Sequence, residues 1–200
     1  MPLSFSYQKT TQALNFFAQQ NGGIINKLKA LKLLYFADRY HLRKYGRLVT
    51  NDEYFAMRYG PVASGAKDLA EGQHDWGRGE TDQEYAAQYI RPDSRRYEIQ
   101  SRQSPNHEVF SQSDLEALDF SYQTFGQLGL YELAELTHRY PEWKKHEAVL
   151  NNSSRVLMDA VDFLEDPPGD CDPCHSLTEE ERSIRREEFV ESRAIHRLLH

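Results

Sequence analysis

Only two cysteines, Cys171 and Cys174, occur in the 200 residues, so no disulfide framework holds this chain and a reducing cytoplasm is the expected compartment. No apolar run approaches the ~20 residues that span a bilayer. The opening MPLSFSYQKTTQAL has no basic segment followed by an apolar one, so neither a membrane anchor nor export is expected. Positive charge is also scarce. Lys and Arg number 24 against 31 Asp and Glu, a net charge of −7. A broad basic face for neutralising phosphates is therefore missing, and nucleic acid is not the expected main partner. A basic protein suits an acidic chain better, through long-range steering. There is no Gly-rich phosphate loop, no Gly-x-Ser-x-Gly elbow and no His-Glu-x-x-His. The chain is accordingly expected not to be an enzyme, with no catalytic residue, metal or cofactor assigned.

What is present suffices for a packed core, with 39% hydrophobic and 12% aromatic side chains. Tyr7, Thr10, Leu14 and Phe17 recur at helical steps and predict a helix over residues 7–20, ended by Asn21-Gly22-Gly23. Leu28, Leu31, Tyr35, Asp38, Leu42 and Tyr45 predict a stronger one, stopped by Gly46. Leu48-Val49 and residues 54–57 read as two short strands around the turn chemistry of Thr50-Asn51-Asp52. Gly60-Pro61 then breaks the chain, and a helix starts at Ala63 or Ser64. Residues 72–82 read as an exposed loop and residues 89–100 as a hairpin. Ser113 and Glu116 have the spacing of a capping box, so a helix is expected from there to about Gln127. Further helices are predicted over residues 131–140 and 154–165. A last one follows Thr178 and Glu181, a second capping box, with an i,i+4 pair expected between Glu181 and Arg185. In it Ile184, Val190, Ala194, Ile195, Leu198 and Leu199 make a partial apolar stripe, for the core or for a partner.

Asp38 stands out as one acid on an apolar helix face. Such a carboxylate must be paired or its pKa rises. Candidate partners are Arg58, His41 and His138. The residue belongs either to a structural hydrogen-bonded network or to an acid/base site. Asp38 and His41 are three apart and can point the same way. With His138 they are a conceivable metal set, but no further ligand declares itself. Cys171-Asp172-Pro173-Cys174-His175 matches a haem-attachment pattern that would need export. It is also half of a zinc site that His196 or His200 would complete, or a polar loop with reduced thiols, which is the reading adopted. Tyr59-Gly60-Pro61-Val62 is either a plain turn or a shaped surface.

Three ordered segments carry a family resemblance. KLLYFADRYHLRKYG at residues 32–46, AMRYGPV at 56–62, and Leu136-Thr137-His138 followed by Trp143 resemble the motifs of the Panacea, or SocA-like, antitoxin domain over about residues 7–147. The resemblance implies a mainly α fold, a compact multi-helix domain with a small antiparallel β element. It implies a bacterial or phage origin and a cognate protein toxin encoded nearby, neutralised by direct binding. In at least one branch it implies an adaptor that hands the toxin to a cytoplasmic protease. The motif starts near the first residue, so an added DNA-binding module is not expected. The expected organisation is an antitoxin domain over residues 1–165, a linker over 166–176, and a helix over 177–200 that docks or binds a partner. Asp38, His41, Arg58, Tyr59, Gly60, Pro61, His138 and Trp143 are the expected partner-binding surface or its supporting network. The rival to an antitoxin is an enzyme using Asp38, His41 and His138. Homo-oligomerisation is left open.

Overall fold

The computed structural model describes residues 5–73, 80–169 and 173–199. The fold is mainly α with small antiparallel sheets, and it is organised around one helix. α1 (Tyr7–Gln20) starts at Ser6, whose side chain accepts from the Lys9 amide. β1 (Ile24–Asn26) leads into α2 (Lys27–Tyr45). Asn26 caps α2 by accepting from the Leu28 and Lys29 amides, and Gly46 ends it at φ 74°, a conformation that glycine takes without a Cβ penalty. Every residue of α2 from Ala30 to Arg43 is buried. A helix covered on all sides is not the amphipathic surface helix that its apolar period predicts.

Around α2 lie β2 (Tyr54–Met57), β3 (Gly60–Ala63), α3 (Ser64–Glu71), α4 (Glu80–Tyr89), β4 (Ile90–Asp93), β5 (Glu98–Ser101), α5 (Gln112–Phe125), α6 (Leu130–Thr137), α7 (Pro141–Lys144), β6 (Arg155–Leu157) and α8 (Glu179–Leu199). One three-stranded antiparallel sheet has the order β1-β5-β4, with Ile25 opposite Ile99. The other has the order β3-β2-β6, with Ala56 opposite both Pro61 and Val156. α2 packs mainly against α5, and Phe36 stacks on Phe125 with ring centroids 3.9 Å apart.

The hairpin over residues 89–100 is present as β4 and β5. Several other expectations are corrected. Residues 154–165 are not a helix but β6 followed by a 3-10 turn, Ala160–Leu164. Pairing with β2 takes up one edge of β6, and the Asp159 side chain accepts from the Val161 amide. Leu48-Val49 forms no strand. β2 pairs instead with β3, and the presumed break at Gly60-Pro61 is the start of that strand. Pro61 is tolerated there because β3 is an edge strand, where a missing N–H costs no ladder bond. The capping box of α5 is Ser111 with Asp114, two residues earlier than Ser113 with Glu116. The helix expected over residues 131–140 is α6, which ends at Thr137, and Pro141 opens α7 rather than only stopping a helix. Of the loop expected over residues 72–82, residues 74–79 lie outside the described residues, and α4 already begins at Glu80. Cys171, His200 and the side chain of His196 also lie outside them; Cys174 is buried rather than part of a polar loop.

Candidate functional site

The polar residues of α2 are its most informative feature. Lys32, Asp38, Arg39, His41 and Arg43 have no solvent exposure, and each bonds to at least one segment outside α2. Buried polar groups have to be satisfied, and here that requirement pins the loops to the helix.

Asp38 accepts four hydrogen bonds: from the Val49 amide at 2.6 Å, the Thr50 amide at 3.2 Å, Thr50 Oγ1 at 2.7 Å and Tyr54 Oη at 2.8 Å. None comes from Arg58, His41 or His138, the partners expected from the sequence. Burial pushes the carboxyl pKa up, and the bonds from Thr50, Tyr54 and Val49 oppose that shift. Asp52 continues the network, accepting from the amides of Glu53, Gly65 and Ala66 at the start of α3. Its carboxyl is pushed up to about 7, mainly by burial. The turn chemistry read at residues 50–52 is thus the way the chain meets the Asp38 carboxylate.

Arg39 pairs with Glu142 in α7, gives a second bond to the Glu165 carbonyl at 2.6 Å and lies over the Tyr140 ring. Tyr35 donates to the same Glu142 oxygen at 2.5 Å. Arg43 donates to the carbonyls of Leu164 and His175 at 2.8 and 2.7 Å, and to Asp166 at 2.5 Å. Reading the sequence missed Lys32, Arg39, Arg43 and Glu142. A signal existed for three of them, since Lys32, Arg39 and Arg43 are spaced seven and four apart and share one side of α2.

His41 faces the other way. Its Nδ1 lies 2.7 Å from the Arg47 carbonyl and so carries the proton, which leaves Nε2 to accept from Ser113 Oγ at 3.0 Å. Asp114 Oδ1 lies 3.3 Å from Nε2 and would favour a charged ring, but Lys9 and Arg47 already neutralise that carboxylate. Burial prevails and lowers the imidazole to about 4. The sign follows from linkage. Unfolded chain takes up a proton near pH 6.5 while the folded chain resists it down to about 4, so stability is present above 6.5 and is lost as pH falls through that window. His41→Asn keeps a donor for Arg47 but cannot titrate. Its stability deficit against the parent, read by urea denaturation, is expected to shrink by about 2 kcal/mol between pH 7.5 and 5. A deficit that is the same at both values would refute the neutral buried histidine.

The remaining candidates gather at the β2–β3 turn. Trp143 donates from Nε1 to the Met57 carbonyl at 2.8 Å, and its ring stacks on His138 at 3.8 Å with an interplanar angle of 12°. Burial and the charge of Lys32 lower the His138 pKa, and its Nε2 has no hydrogen-bond partner among the described residues. Lys32 donates to the Pro61 carbonyl at 2.7 Å. Gly60 sits at φ 97°, and a Cβ there would collide with Thr137 Oγ1 and Lys32 Nζ. This position thus needs glycine both for its conformation and for the close approach of α2 and α6. Gly60 and Pro61 are buried, whereas Arg58 and Tyr59 are exposed, with the guanidinium 5.8 Å from the Tyr59 ring centroid.

Asp38, His41 and His138 therefore do not form one site. Each belongs to a separate network, and none lines the cleft of about 270 Å³ between residues 48–54, residues 157–160 and α8. Among the described residues no group of three His, Cys, Asp or Glu side chains is placed to hold a metal. No described helix is long and apolar enough to cross a membrane.

The family model described as "Antitoxin SocA-like, Panacea domain" matches residues 31–144. That segment is more than half of the chain and runs from α2 to α7, so the chain belongs to the SocA-like, Panacea-domain antitoxin family. Searches of curated proteins and of solved structures gave no match.

Proposed function

We propose that this protein is the antitoxin of a bacterial or phage toxin–antitoxin pair and neutralises a protein toxin by direct contact, with the β2–β3 turn as part of the contact surface. One observation supports the place. Of the eight motif residues singled out, Arg58 and Tyr59 are the two most open to solvent, and the turn that carries them is held from behind by the bonds of Trp143 to Met57 and of Lys32 to Pro61. The buried motif residues hold the platform, and the turn presents two side chains of the types that dominate binding energy at protein interfaces. A turn held from several sides loses little conformational freedom on binding, which favours affinity.

The test is co-expression with the neighbouring gene in a cell that this gene alone arrests. The parent protein is expected to restore growth. Tyr59→Asp with Arg58→Ala is expected to weaken the purified complex at least tenfold, with an unchanged melting temperature because both side chains are exposed. A harmless neighbour, or one that stays toxic beside the parent, ends the antitoxin reading. Full affinity in the double variant moves the contact surface elsewhere. A toxin half-life that shortens only in protease-proficient cells would make the protein an adaptor for degradation.

A further inference from the structure

α8 docks on the body through four arginines and Phe189, not through the apolar stripe of Ile184, Ile195 and Leu198 read from its sequence. Arg182, Arg186, Phe189 and Arg193 follow one another at steps of four, three and four, and so share one face. Arg182 pairs with Asp166, Arg186 with Glu165, and Arg193 with Asp159 at 2.9 Å, while Phe189 is 4% exposed. Arg185 reaches the Lys44 carbonyl at 2.9 Å. All four of these arginines are thus engaged with the body. The pair expected between Glu181 and Arg185 does not form; Arg185 bonds Glu188, and Glu181 closes the cap with Thr178.

Among the described residues, nothing covers the opposite face. Ile195 and Leu198 come eleven and fourteen residues after Ile184, about three and about four turns, so the three line one side. Their exposures are 47% for Ile184, 51% for Ile195 and 85% for Leu198. Glu180, Glu187 and Glu191, at steps of four, three and seven from Ile184, lie on the same side and are exposed. The helix is therefore sorted by charge, with Arg182, Arg185, Arg186 and Arg193 turned inward and an apolar line edged by carboxylates turned outward. An exposed apolar line of this kind marks an interaction site.

The sign of the border decides which occupant fits. A second copy of the chain would set glutamates against glutamates within a molecule of net charge −7. An anionic lipid surface or a nucleic acid would be repelled in the same way. We infer that the outer face of α8 docks a basic protein surface with an apolar centre, which in the reading above, on which this inference rests, belongs to the toxin. α8 lies outside the family-matched segment, so this face would add a contact specific to this chain's own partner.

Two full-length variants test it beside the parent, with growth rescue and calorimetry against the purified neighbouring-gene product. Ile195→Asp with Leu198→Asp removes the apolar line, and Glu180→Lys with Glu187→Lys and Glu191→Lys reverses the border. None of these side chains carries a contact to the body in the pairs above, so both variants are expected to keep the parent melting temperature. Each is expected to weaken the complex at least tenfold, and the lysine variant also to flatten its salt dependence. If the parent rescues growth and both variants bind as tightly as it does, the docking proposal is wrong and the antitoxin reading survives. If the parent itself fails to rescue, both fall. If light scattering finds the parent dimeric and the Ile195/Leu198 variant monomeric, the face belongs to a second copy and the proposal is overturned.

Discussion

Asp38→Ala is expected to lower the unfolding free energy by about 4 kcal/mol, measured as a shift of the urea midpoint at constant slope. The size follows from what the carboxylate leaves behind. Two backbone amides, a threonine hydroxyl and a tyrosine hydroxyl all point at it, and all are buried. Each buried donor deprived of its acceptor costs about 1–3 kcal/mol, and local relaxation recovers part of the sum. Asp38→Asn keeps one oxygen but turns an NH2 group toward two of the donors, so a loss of about 2 kcal/mol is expected. A loss below about 1 kcal/mol for the alanine variant would show that residues 49–54 hold their course without the helix.

The second large effect belongs to the buried pair of Arg39 and Glu142, both fully enclosed. Arg39→Met is expected to cost about 4 kcal/mol, because it strands a buried carboxylate beside the Tyr35 hydroxyl. Adding Glu142→Gln removes the stranded charge and keeps an acceptor for Tyr35. The double variant is therefore expected to be more stable than Arg39→Met alone, by about 2 kcal/mol. The measurement is a double-mutant cycle of denaturation midpoints. Losses that simply add would mean that the ion pair exerts no coupling and that Arg39 acts through its stacking on Tyr140 and its bond to Glu165.

How far the residues announced these features depends on what kind of partner each one found. Asp38 was conspicuous as an acid on an apolar stripe, and it is paired as that position requires. Its partners were not legible, because a search among charged side chains cannot see backbone amides, and Tyr54 and Thr50 carry no charge. By period alone, Arg39 and Arg43 fall beside the apolar stripe of α2, where a surface helix would meet solvent. Periodicity records which side of a helix is apolar and says nothing about what covers the other side. The covering segments, residues 140–142 and 163–166 with His175, lie about a hundred positions or more downstream and have too little regular structure to be anticipated. β3 and β6 were lost for a related reason. Each has four residues or fewer and exists because β2 is there to pair with it. Gly60-Pro61 reads as a break in isolation and becomes an edge strand in context. The three family motifs, by contrast, were visible as letters, and they coincide with the helix, the turn and the Thr137–Trp143 brace that build the platform.

The bonds that Arg43 makes with residues 164–175 also bear on how the chain is born. Their sequence separations are 121 to 132 residues. Synthesis is directional, so α2 emerges early with guanidinium groups whose acceptors do not yet exist. Its enclosed state is reached only once the chain has been made past His175. Long-range closure of this kind slows folding, because the loop entropy is lost before the contacts repay it. A ribosome that stalls before about residue 166 would leave α2 with an arginine that has nowhere to bury its charge, and the fragment would stay open.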